Sequence, residues 1–455
     1  MKATLPQGTR DFSPEVIYKR NYIFKTIRTQ FELFGFEPLE TPAFENLETL
    51  MGKYGDEGDK LIFKILNNGL ERVEKHQQAN EDFQKVLQGK SVKGLTERAL
   101  KYDLTIPFAR YVAMNKNQLN MPFKRYQIQP VWRADRPQRG RYREFTQCDA
   151  DIVGSNSLIN EIELIQIYKN VFSNLKIPVQ ICINNRKILA ALAEKCGGIQ
   201  HLTNITIAID KLDKIGLEKV IEELKSKEIS DDAITIIQLY LSFTQNTEDN
   251  LALLKQIETL LSDIEIAKEG ISEIKFLLKH FHDIKLDVTL ARGLNYYTGT
   301  IIEVKPLDIQ MGSIGGGGRY NDLTGLFGVP DIPGVGISFG VDRIFDVMEE
   351  KKLFPHHIQK SVEVMLTNFG EDFLTKNLEI LHFLRENNIS CELYPDPIKF
   401  DKQMKYANKK NVSFVILIGE DELKNNKISI KNFASGEQKS VSKEDLISIL
   451  KPIAK

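Results

Sequence analysis

Cysteine is scarce in this sequence of 455 residues, and its few copies lie far apart. The four cysteines are Cys148, Cys182, Cys196 and Cys391. This spacing contains no CxxC pair, which argues against a zinc site and against a disulfide framework. The usage is typical of a protein from a reducing compartment, so we expect a cytoplasmic location.

Long apolar runs and an excess of charge are also lacking. No apolar run approaches the roughly 18 residues of a membrane span, and the start, MKATLPQGTRDFSPE, has no apolar signal segment. We therefore expect neither a membrane span nor a signal peptide. The formal net charge is −1, so any nucleic-acid surface must be a local patch.

Histidine is also scarce, and its positions bear on catalysis and metal binding. The seven histidines are His76, His201, His280, His282, His356, His357 and His382. None of them falls in the five polar segments described below. Catalysis by a protein histidine is therefore not expected, and neither is a metal site.

The length predicts two or three domains, and the apolar patterns suggest where they divide. Residues 122–154 alternate with period two around DRPQRG, which predicts a β-hairpin with a basic tip. Helical spacing fills 186–283, and strand patterning resumes at 284. A small α/β domain is predicted beyond the polar segment KKLFPHHIQK. The predicted division is a first catalytic part at 1–185, a helical insertion at 186–283, a second catalytic part at 284–350 and a C-terminal domain at 361–455. For the polar stretch 70–98 the sequence indicates either an exposed helix pair or a mobile insertion.

The hairpin holds the most distinctive segment, RADRPQRGRYREFTQCDAD at 133–151. If its second strand begins near Arg141, alternation places Arg141, Arg143, Phe145, Gln147, Asp149 and Asp151 on one face. Arginine suits phosphate oxygens, and the carboxylate end suits an ammonium or an imidazole N–H. The alternative is a solvated hairpin with weak ion pairs.

Four further segments contain residues that could bind a ligand or take part in catalysis, and each also has a purely structural explanation. In LARGLNYYTG, Arg292 adjoins a flexible Gly293, and the tyrosines could simply be packing. SIGGGGRYNDL could let the backbone close on a flat ligand, although it is neither a P-loop nor a Rossmann fingerprint. In GISFGVDRIF, Arg343 could be an ordinary helix-surface arginine. In KYDLTIPFARY, Asp103 and Thr105 stand on one side of an apolar strand, unless Asp103 caps a helix started by Pro107.

Taken in order, these five segments resemble the histidyl-tRNA synthetases, a family of class II aminoacyl-tRNA synthetases. GTRDFSP and the Pro42 of LETPAFE resemble its N-terminal segment and motif 1, and the hairpin resembles motif 2. LARGLNYYTG and GGGGRYNDL resemble the two histidine-specific motifs, and GVGISFGVDRIF resembles motif 3. The resemblance implies an antiparallel sheet flanked by helices, a helical insertion and a C-terminal α/β anticodon-binding domain. It also implies a homodimer with motif 1 at the interface.

The resemblance implies a role for each matching residue. The arginines implied at ATP are Arg133, Arg141 and Arg343, and Arg292 would stabilise charge in the transition state together with Arg133 and Arg343. The residues implied at histidine are Asp103, Thr105, Gln147, Asp151, Tyr296 and Tyr297. Arg136 and Gln138 would face the acceptor end of the tRNA. The family often has Asp where this chain has Asn295, and often Glu in place of Asp151 and Asp342.

The implied activity is ligation of L-histidine to tRNA(His) in two steps through histidyl-adenylate. ATP enters as its magnesium complex, and no tightly bound cofactor is expected. The alternative is a regulatory paralogue that senses histidine and partners a phosphoribosyltransferase of histidine biosynthesis. Such paralogues lack the C-terminal domain, whereas residues 361–455 are present here together with Arg133, Arg292 and Arg343.

Overall fold

The computed structural model describes residues 2–138, 140–247, 249–291, 296–355, 358 and 362–450, without the side chains of 55–57, 245 and 246. The chain forms two compact units, Met1–Phe354 and Pro355–Lys455. None of the helices in these described ranges is both long enough and apolar enough to cross a lipid bilayer.

Helices dominate the first unit. They are α1 (Pro14–Leu33), α2 (Leu47–Leu50), α3 (Gly55–Lys60), α4 (His76–Leu87), α5 (Thr105–Asn115), α6 (Ile159–Asn174), α7 (Arg186–Lys195), α8 (Leu202–Ile209), α9 (Leu212–Ser226), α10 (Asp231–Asn246), α11 (Asn250–Leu260), α12 (Glu265–His280) and α13 (Val341–Glu350). Local sequence sets the start of α1, because Ser13 accepts a hydrogen bond from the backbone N–H of Val16 and Pro14 occupies the first turn.

The strands of the first unit form two sheets. They are β1 (Glu37–Pro38), β2 (Phe44–Asn46), β3 (Lys64–Ile65), β4 (Arg98–Leu100), β5 (Phe123–Trp132), β6 (Glu144–Val153), β7 (Val179–Asn185), β8 (Lys285–Leu286), β9 (Thr300–Pro306), β10 (Gly315–Tyr320) and β11 (Gly334–Gly340). The large sheet has the order β1-β5-β6-β11-β10-β9-β7-β8, antiparallel except at its two edge pairs. The predicted antiparallel sheet with flanking helices is therefore confirmed.

Period two divides the residues of the central strands between a core face and a polar face. On β6, Cys148, Ala150 and Ile152 are fully buried in the main hydrophobic core. On β11, Phe339 packs among the rings of Phe31, Tyr168 and Phe172 in that core. Helices α1, α6 and α13 supply the covering side chains, so the opposite face of the same strands is left for polar groups.

Residues 70–98 do not contain the pair of helices that was one of the two alternatives for them. A single helix, α4, precedes the strand β4, which lies between β2 and β3 in a small antiparallel sheet. Helices α7 to α12 follow β7, and their apolar residues continue the main core of the sheet. Strand pairing resumes with β8.

The second unit is a mixed five-stranded sheet with helices. Its elements are β12 (Val364–Leu366), α14 (Glu371–Glu386), β13 (Cys391–Leu393), α15 (Phe400–Lys409), β14 (Phe414–Leu417), α16 (Glu420–Asn425), β15 (Ile428–Asn432), β16 (Gln438–Val441) and α17 (Lys443–Leu450). The strand order is β13-β12-β14-β15-β16, with β12 parallel to both of its neighbours. Strands β15 and β16 form an antiparallel hairpin, and the predicted small α/β character of this part of the chain is confirmed.

Candidate active site

The polar face of β6 and its neighbours lines two adjoining cavities. The first, which we call the acidic cavity, has a volume of about 170 Å³. Its lining residues are Asp103, Thr105, Arg133, Gln147, Asp149, Asp151, Tyr296, Tyr297, Gly316, Tyr320, Gly336, Ile337 and Ser338. All six residues implied for histidine by the resemblance are among them. Sequence positions almost 200 residues apart are brought together because β6 and β11 are neighbours.

The second cavity, the arginine cavity, has a volume of about 380 Å³. Arg133, Arg141 and Arg343 all line it, together with the backbone of Gly315 to Gly317 and the carboxylates of Glu303 and Asp342. Arg133, Gln147, Tyr297, Gly316 and Ser338 line both cavities. The two cavities therefore meet at a shared boundary, with carboxylates on one side and guanidinium groups on the other.

Asp151 is held at the floor of the acidic cavity by two fixed donors. The Arg125 Nη2 atom lies 2.8 Å from its Oδ2, and the Tyr320 hydroxyl donates to its Oδ1 over 2.8 Å. Burial raises the pKa of the Asp151 carboxyl, and Arg125 and Tyr320 oppose that rise. The opposing β11 residue is Gly336, where an added Cβ would lie 2.0 Å from the Asp151 Oδ1. A glycine is therefore required beside this carboxylate.

Arg125 is the buried cation beneath the acidic cavity. Its side chain is fully buried and its guanidinium stacks 4.3 Å from the Phe108 ring centre. The Nη2 atom also donates to the Leu104 carbonyl over 3.4 Å, whereas Nε and Nη1 have no hydrogen-bond partner within the described part of the chain. A buried cation of this kind needs an anion nearby, and Asp151 supplies it.

Asp103 caps a helix and also lines the acidic cavity. The structure places it before α5 rather than on a strand, so the strand assignment for KYDLT is wrong. Its Oδ1 accepts from the Ile106 backbone N–H over 3.2 Å and from the Tyr54 hydroxyl over 2.9 Å. Its Oδ2 has no hydrogen-bond partner among the described residues. The capping alternative is therefore confirmed, and the same carboxylate also lines the acidic cavity.

Asp149 is the third carboxylate of the acidic cavity. It is 2% exposed and lies between Gln147 and Asp151 on the same face of β6. The Gln147 Nε2 atom is 3.4 Å from its Oδ1, a long contact. Burial raises the pKa of Asp149 to about 7, although the Arg125 charge lowers it in part. Burial likewise raises the pKa of Asp103.

Tyrosines close the acidic cavity from the opposite side. Tyr296 and Tyr297 lie edge to face with ring centres 4.9 Å apart, and Tyr296 meets Tyr320 at 6.0 Å. Burial raises the pKa of both Tyr296 and Tyr297, so both remain neutral phenols at physiological pH. Each can therefore act as a hydrogen-bond donor to a ligand.

The glycine run forms the central strand β10, so it is not a loop around a ligand. An added Cβ at Gly315 would lie 2.7 Å from the Tyr168 ring, and one at Gly318 would lie 2.6 Å from the Thr300 carbonyl. Gly316 borders both cavities, and an added Cβ there would meet the Ile302 carbonyl oxygen at an ordinary contact distance of 3.5 Å. The run therefore serves close strand packing on one side and an open cavity wall at Gly316.

The arginines of the arginine cavity lie in a loop and in the first turn of a helix. Arg343 follows β11 in the first turn of α13, and it donates to the Ser313 carbonyl over 2.7 Å. Arg133 donates to the Tyr102 carbonyl over 3.0 Å and stacks on the Tyr102 ring. Both guanidinium groups are therefore anchored by backbone carbonyls at the wall of the arginine cavity.

Asp342 ties the N-terminal segment to the arginine cavity. Its Oδ1 lies 2.7 Å from Arg10 Nη2 and 2.6 Å from Arg20 Nη1, while its Oδ2 has no hydrogen-bond partner in the ranges that the structure describes. Arg10 also stacks 3.2 Å from the ring centre of Tyr142, another lining residue. The segment GTRDF thus braces this cavity through Arg10.

The structure separates some predicted residues from the cavities. Strand β6 begins at Glu144, so Arg141 and Arg143 belong to the preceding loop, and their assignment to one strand face is wrong. Arg143 pairs its backbone with Gly8 and does not line either cavity. Arg136 and Gln138 are exposed on the same loop. Arg292 and Asn295 lie outside the described residues.

Several residues at the site were not identified from the sequence. Tyr320, Ser338 and Arg125 reach it through strand pairing, and Arg125 faces Asp151 directly across β5 and β6. Asp149 appeared in the predicted alternation but received no role. Arg319, beside Tyr320, is a structural residue, because its guanidinium forms a buried pair with Glu161 at 2.5 and 2.6 Å.

Comparisons with known proteins agree with this geometry. A family model described as Histidyl-tRNA synthetase matches residues 70–344, and one described as Anticodon binding domain matches residues 363–453. The chain is 51% identical to the histidine–tRNA ligase of Christiangramia forsetii over 99% of both chains, and 51% identical to that of Phocaeicola vulgatus over the same shares.

A solved structure extends the likeness to the fold. The crystal structure of histidyl-tRNA synthetase from a Nostoc species covers 99% of this chain and 99% of its own, with a TM-score of 0.81 at 29% identity. The antiparallel sheet and the C-terminal α/β unit are therefore those of a class II synthetase. The chain belongs to the histidyl-tRNA synthetase family.

Proposed function

We propose that this chain activates L-histidine with ATP and transfers it to the 3′ end of tRNA(His). The observation that carries the proposal is the pair of adjoining cavities, one acidic and one lined by arginines, which share Arg133 at their boundary. An amino acid and a nucleotide bound in these two cavities would place a carboxylate next to a phosphate.

Histidine would occupy the acidic cavity with its ammonium group at Asp103. The Oδ2 of Asp103 lacks a hydrogen-bond partner in the described part of the protein, and Thr105 lies on the same cavity wall. The imidazole would lie towards Asp151 and Tyr297, which offer an acceptor and a donor. A pocket built to pair both ring nitrogens rejects analogues that lack them, because its own buried polar groups would stay unpaired.

ATP would occupy the arginine cavity, with Arg343 and Arg141 at its phosphates. Arg133 lies where the cavities meet, so it is positioned for the α-phosphate and the carboxylate of histidine. Guanidinium groups suit this task because they pair with phosphate oxygens through two hydrogen bonds. Arg292, by resemblance, would add charge at the same point.

The first step needs positioning and charge neutralisation more than acid or base. A histidine carboxylate oxygen attacks the α-phosphorus, the bond from that phosphorus to the bridging oxygen breaks, and pyrophosphate leaves as an anion. A hydroxyl of the terminal ribose of tRNA then attacks the carbonyl of histidyl-adenylate, and AMP leaves. A site with several arginines suits the first step, since the transferred charge stays on phosphate oxygens.

Magnesium would enter as part of the substrate complex with ATP. Glu303 and Asp342 line the arginine cavity, and Asp342 Oδ2 is without a hydrogen-bond partner among the described residues. Oxygen donors of this kind are the ligands that magnesium prefers. The cation would neutralise phosphate charge beside the arginines.

The tRNA would contact two places. Arg136 and Gln138, exposed on the loop between β5 and β6, would meet its acceptor end. The C-terminal unit would read the anticodon. We further propose a homodimer, a cytoplasmic location and a division at 1–185, 186–283, 284–350 and 361–455, with the helical segment inserted into the catalytic domain.

The decisive test is histidine-dependent ATP–pyrophosphate exchange followed by charging of total tRNA. We expect exchange with pure protein, ATP, magnesium and histidine, and none when histidine is replaced by glutamine. Protein that binds histidine but supports no exchange would favour the regulatory alternative. That alternative is disfavoured by Arg133 and Arg343 in the arginine cavity and by the full-length match to histidine–tRNA ligases.

A further inference from the structure

A long connection crosses the end of strand β7. In the large sheet β7 lies between β8 and β9, parallel to β8 and antiparallel to β9. Residues 287–299, which we call the connecting segment, therefore pass from one side of β7 to the other at its C-terminal end. Residues 292–295 of this segment lie outside the described ranges. The junction of β7 with α7 lies at the crossing.

The connecting segment contributes side chains to both cavities. Leu290 lines the arginine cavity, Tyr296 lines the acidic cavity and Tyr297 lines both. Tyr297 thus lies at the shared boundary, where the two proposed ligands would meet. A displacement of the connecting segment would therefore change both cavities at the same time.

Two side chains at the junction donate hydrogen bonds to the first half of the connecting segment. The Asn184 Nδ2 atom donates to the Leu290 carbonyl over 3.0 Å, and the Arg186 Nη1 atom donates to the Ala291 carbonyl over 3.2 Å. Asn184 is fully buried, so water cannot replace its bond at low cost. The position of this half of the segment is therefore set by the junction.

Arg186 also holds the far end of the connecting segment. Its backbone N–H donates to the Gly299 carbonyl over 2.8 Å. The carbonyls of Ala291 and Gly299 are thus bound to one residue, and the two bonds close the loop between them. This loop contains Tyr297 and, by sequence, Arg292.

Helix α12 fixes the junction from its other side. The Asn185 Nδ2 atom donates to Glu273 Oε2 over 2.6 Å, and the Asn185 Oδ1 atom caps α7 by accepting from the Lys187 backbone N–H over 2.9 Å. An added Cβ at Gly270 would lie 3.0 Å from the Lys187 Cβ, so the two helices are in close contact. The Arg186 side chain therefore extends from a backbone that is itself held in place.

We propose that Arg186 is a positioning residue for the activation of histidine, and that it acts by holding the connecting segment at the boundary of the two cavities. The proposal rests on the proposed function, because it concerns the binding of histidine and ATP in these cavities. Arg186 is not among the described residues that line either cavity. It acts on the ligands through Leu290 and Tyr297 and does not touch them.

This role predicts a simultaneous loss at both cavities. When the Ala291 carbonyl is released, the connecting segment spends part of its time with Tyr297 out of place, and only the remaining fraction of the protein binds both ligands well. The apparent affinity for each ligand falls by that fraction. A purely structural role of Arg186 would lower the thermal midpoint and the amount of active protein, but it would leave both KM values unchanged.

Steady-state pyrophosphate exchange of Arg186→Ala, with histidine and ATP varied in turn, tests the proposal. We expect the KM for histidine and the KM for ATP to rise together, each by about 3–10-fold, as for loss of one hydrogen bond that holds the segment. The matched control Lys195→Ala removes a cation from the last turn of the same helix, where it pairs with Asp263, and should keep both KM values of the wild type. Unchanged KM values in Arg186→Ala, with only a lower thermal midpoint, would overturn the proposal.

Arg186→Met provides a second variant in case Arg186→Ala is poorly folded. It keeps an aliphatic stem and the backbone N–H that binds Gly299, but it removes every side-chain donor. Both KM values should again rise by about 3–10-fold. Wild-type values for both in this variant would contradict the proposal. Wild-type protein without histidine-dependent exchange would instead contradict the proposed function.

Discussion

The two cavities that meet at Arg133 are built in different ways. The acidic cavity takes its carboxylates from strand β6 and the start of α5, where Asp103, Asp149 and Asp151 are each nearly fully buried. The arginine cavity takes Arg141 from a loop, where its side chain is about half exposed, and Arg343 from the first turn of α13. One cavity is preorganised by the sheet, and the other retains access to solvent.

This difference matches the demands of the two proposed ligands. Recognition of a small amino acid depends on buried polar groups at fixed positions, because an unpaired group there costs free energy. Triphosphate binding depends on charge, which acts over longer distances and tolerates movement. The four substitutions below test whether the two cavities can be affected separately.

Arg133→Ala should produce the largest effect, because Arg133 lines both cavities. We expect kcat of histidine-dependent pyrophosphate exchange to fall by about 10²–10³, as for loss of one preorganised donor in a transition state. The matched control is Arg72→Ala, which removes an exposed arginine outside both cavities. Equal rates for the two variants would show that Arg133 has no role in histidine activation.

Asp151→Asn should affect the acidic cavity alone. Loss of a charged hydrogen-bond acceptor should raise the KM for histidine by about 10–100-fold, from roughly 1.5–3 kcal/mol. The KM for ATP should change little. The thermal midpoint should fall as well, because Arg125 loses its buried anion. Parallel changes in both KM values would mean that Asp151 is structural only.

Tyr320→Phe should have a smaller effect in the same direction. It removes the hydroxyl that donates to Asp151 Oδ1 but keeps the Arg125 pair. We expect the KM for histidine to rise by about 2–10-fold, from roughly 0.5–1.5 kcal/mol, because the hydroxyl would act on histidine only through the position of Asp151. A KM for histidine equal to that of the wild type would show that Arg125 alone positions Asp151.

Arg10→Ala should have the smallest effect, and on the arginine cavity. The Arg10 side chain is partly exposed, and Asp342 keeps its second partner, Arg20. We expect the KM for ATP to rise by about 2–5-fold, consistent with roughly 0.2–1 kcal/mol for an exposed ion pair. Steady-state exchange at varied ATP measures it. A rise in the KM for histidine instead would show that Arg10 supports the acidic cavity and not the arginine cavity.

Local pattern predicted the parts of the site that depend on local structure. Period two along β6 placed Gln147, Asp149 and Asp151 on one face, and the structure confirms it. The helix considered for Arg343 in GISFGVDRIF is likewise present, as α13. These features follow from alternation and from the residues that begin a helix, which act over a few positions.

The remaining features depend on pairing across long sequence distances. Tyr320 meets Asp151 because β10, β11 and β6 are adjacent, and no local pattern contains that order. Asp103 was assigned to a strand because its neighbours are apolar, whereas α5 begins two residues later. Arg141 was assigned to a strand because the alternation of β6 extends back into the loop that precedes it. Strand order and strand ends are tertiary properties.

Asp103 couples the integrity of a helix to the shape of the acidic cavity. One oxygen holds the first turn of α5 through the Ile106 amide, while the other has no hydrogen-bond partner among the described residues, and the residue lines the acidic cavity. Ligand binding at the second oxygen would therefore stabilise the start of α5 by linkage, because the bound state favours the capped helix. For the same reason, substitution of Asp103 removes a helix cap together with a ligand contact. Mutagenesis at this position cannot separate recognition from folding, and the amide exchange rate of Ile106 becomes a local measure of occupancy.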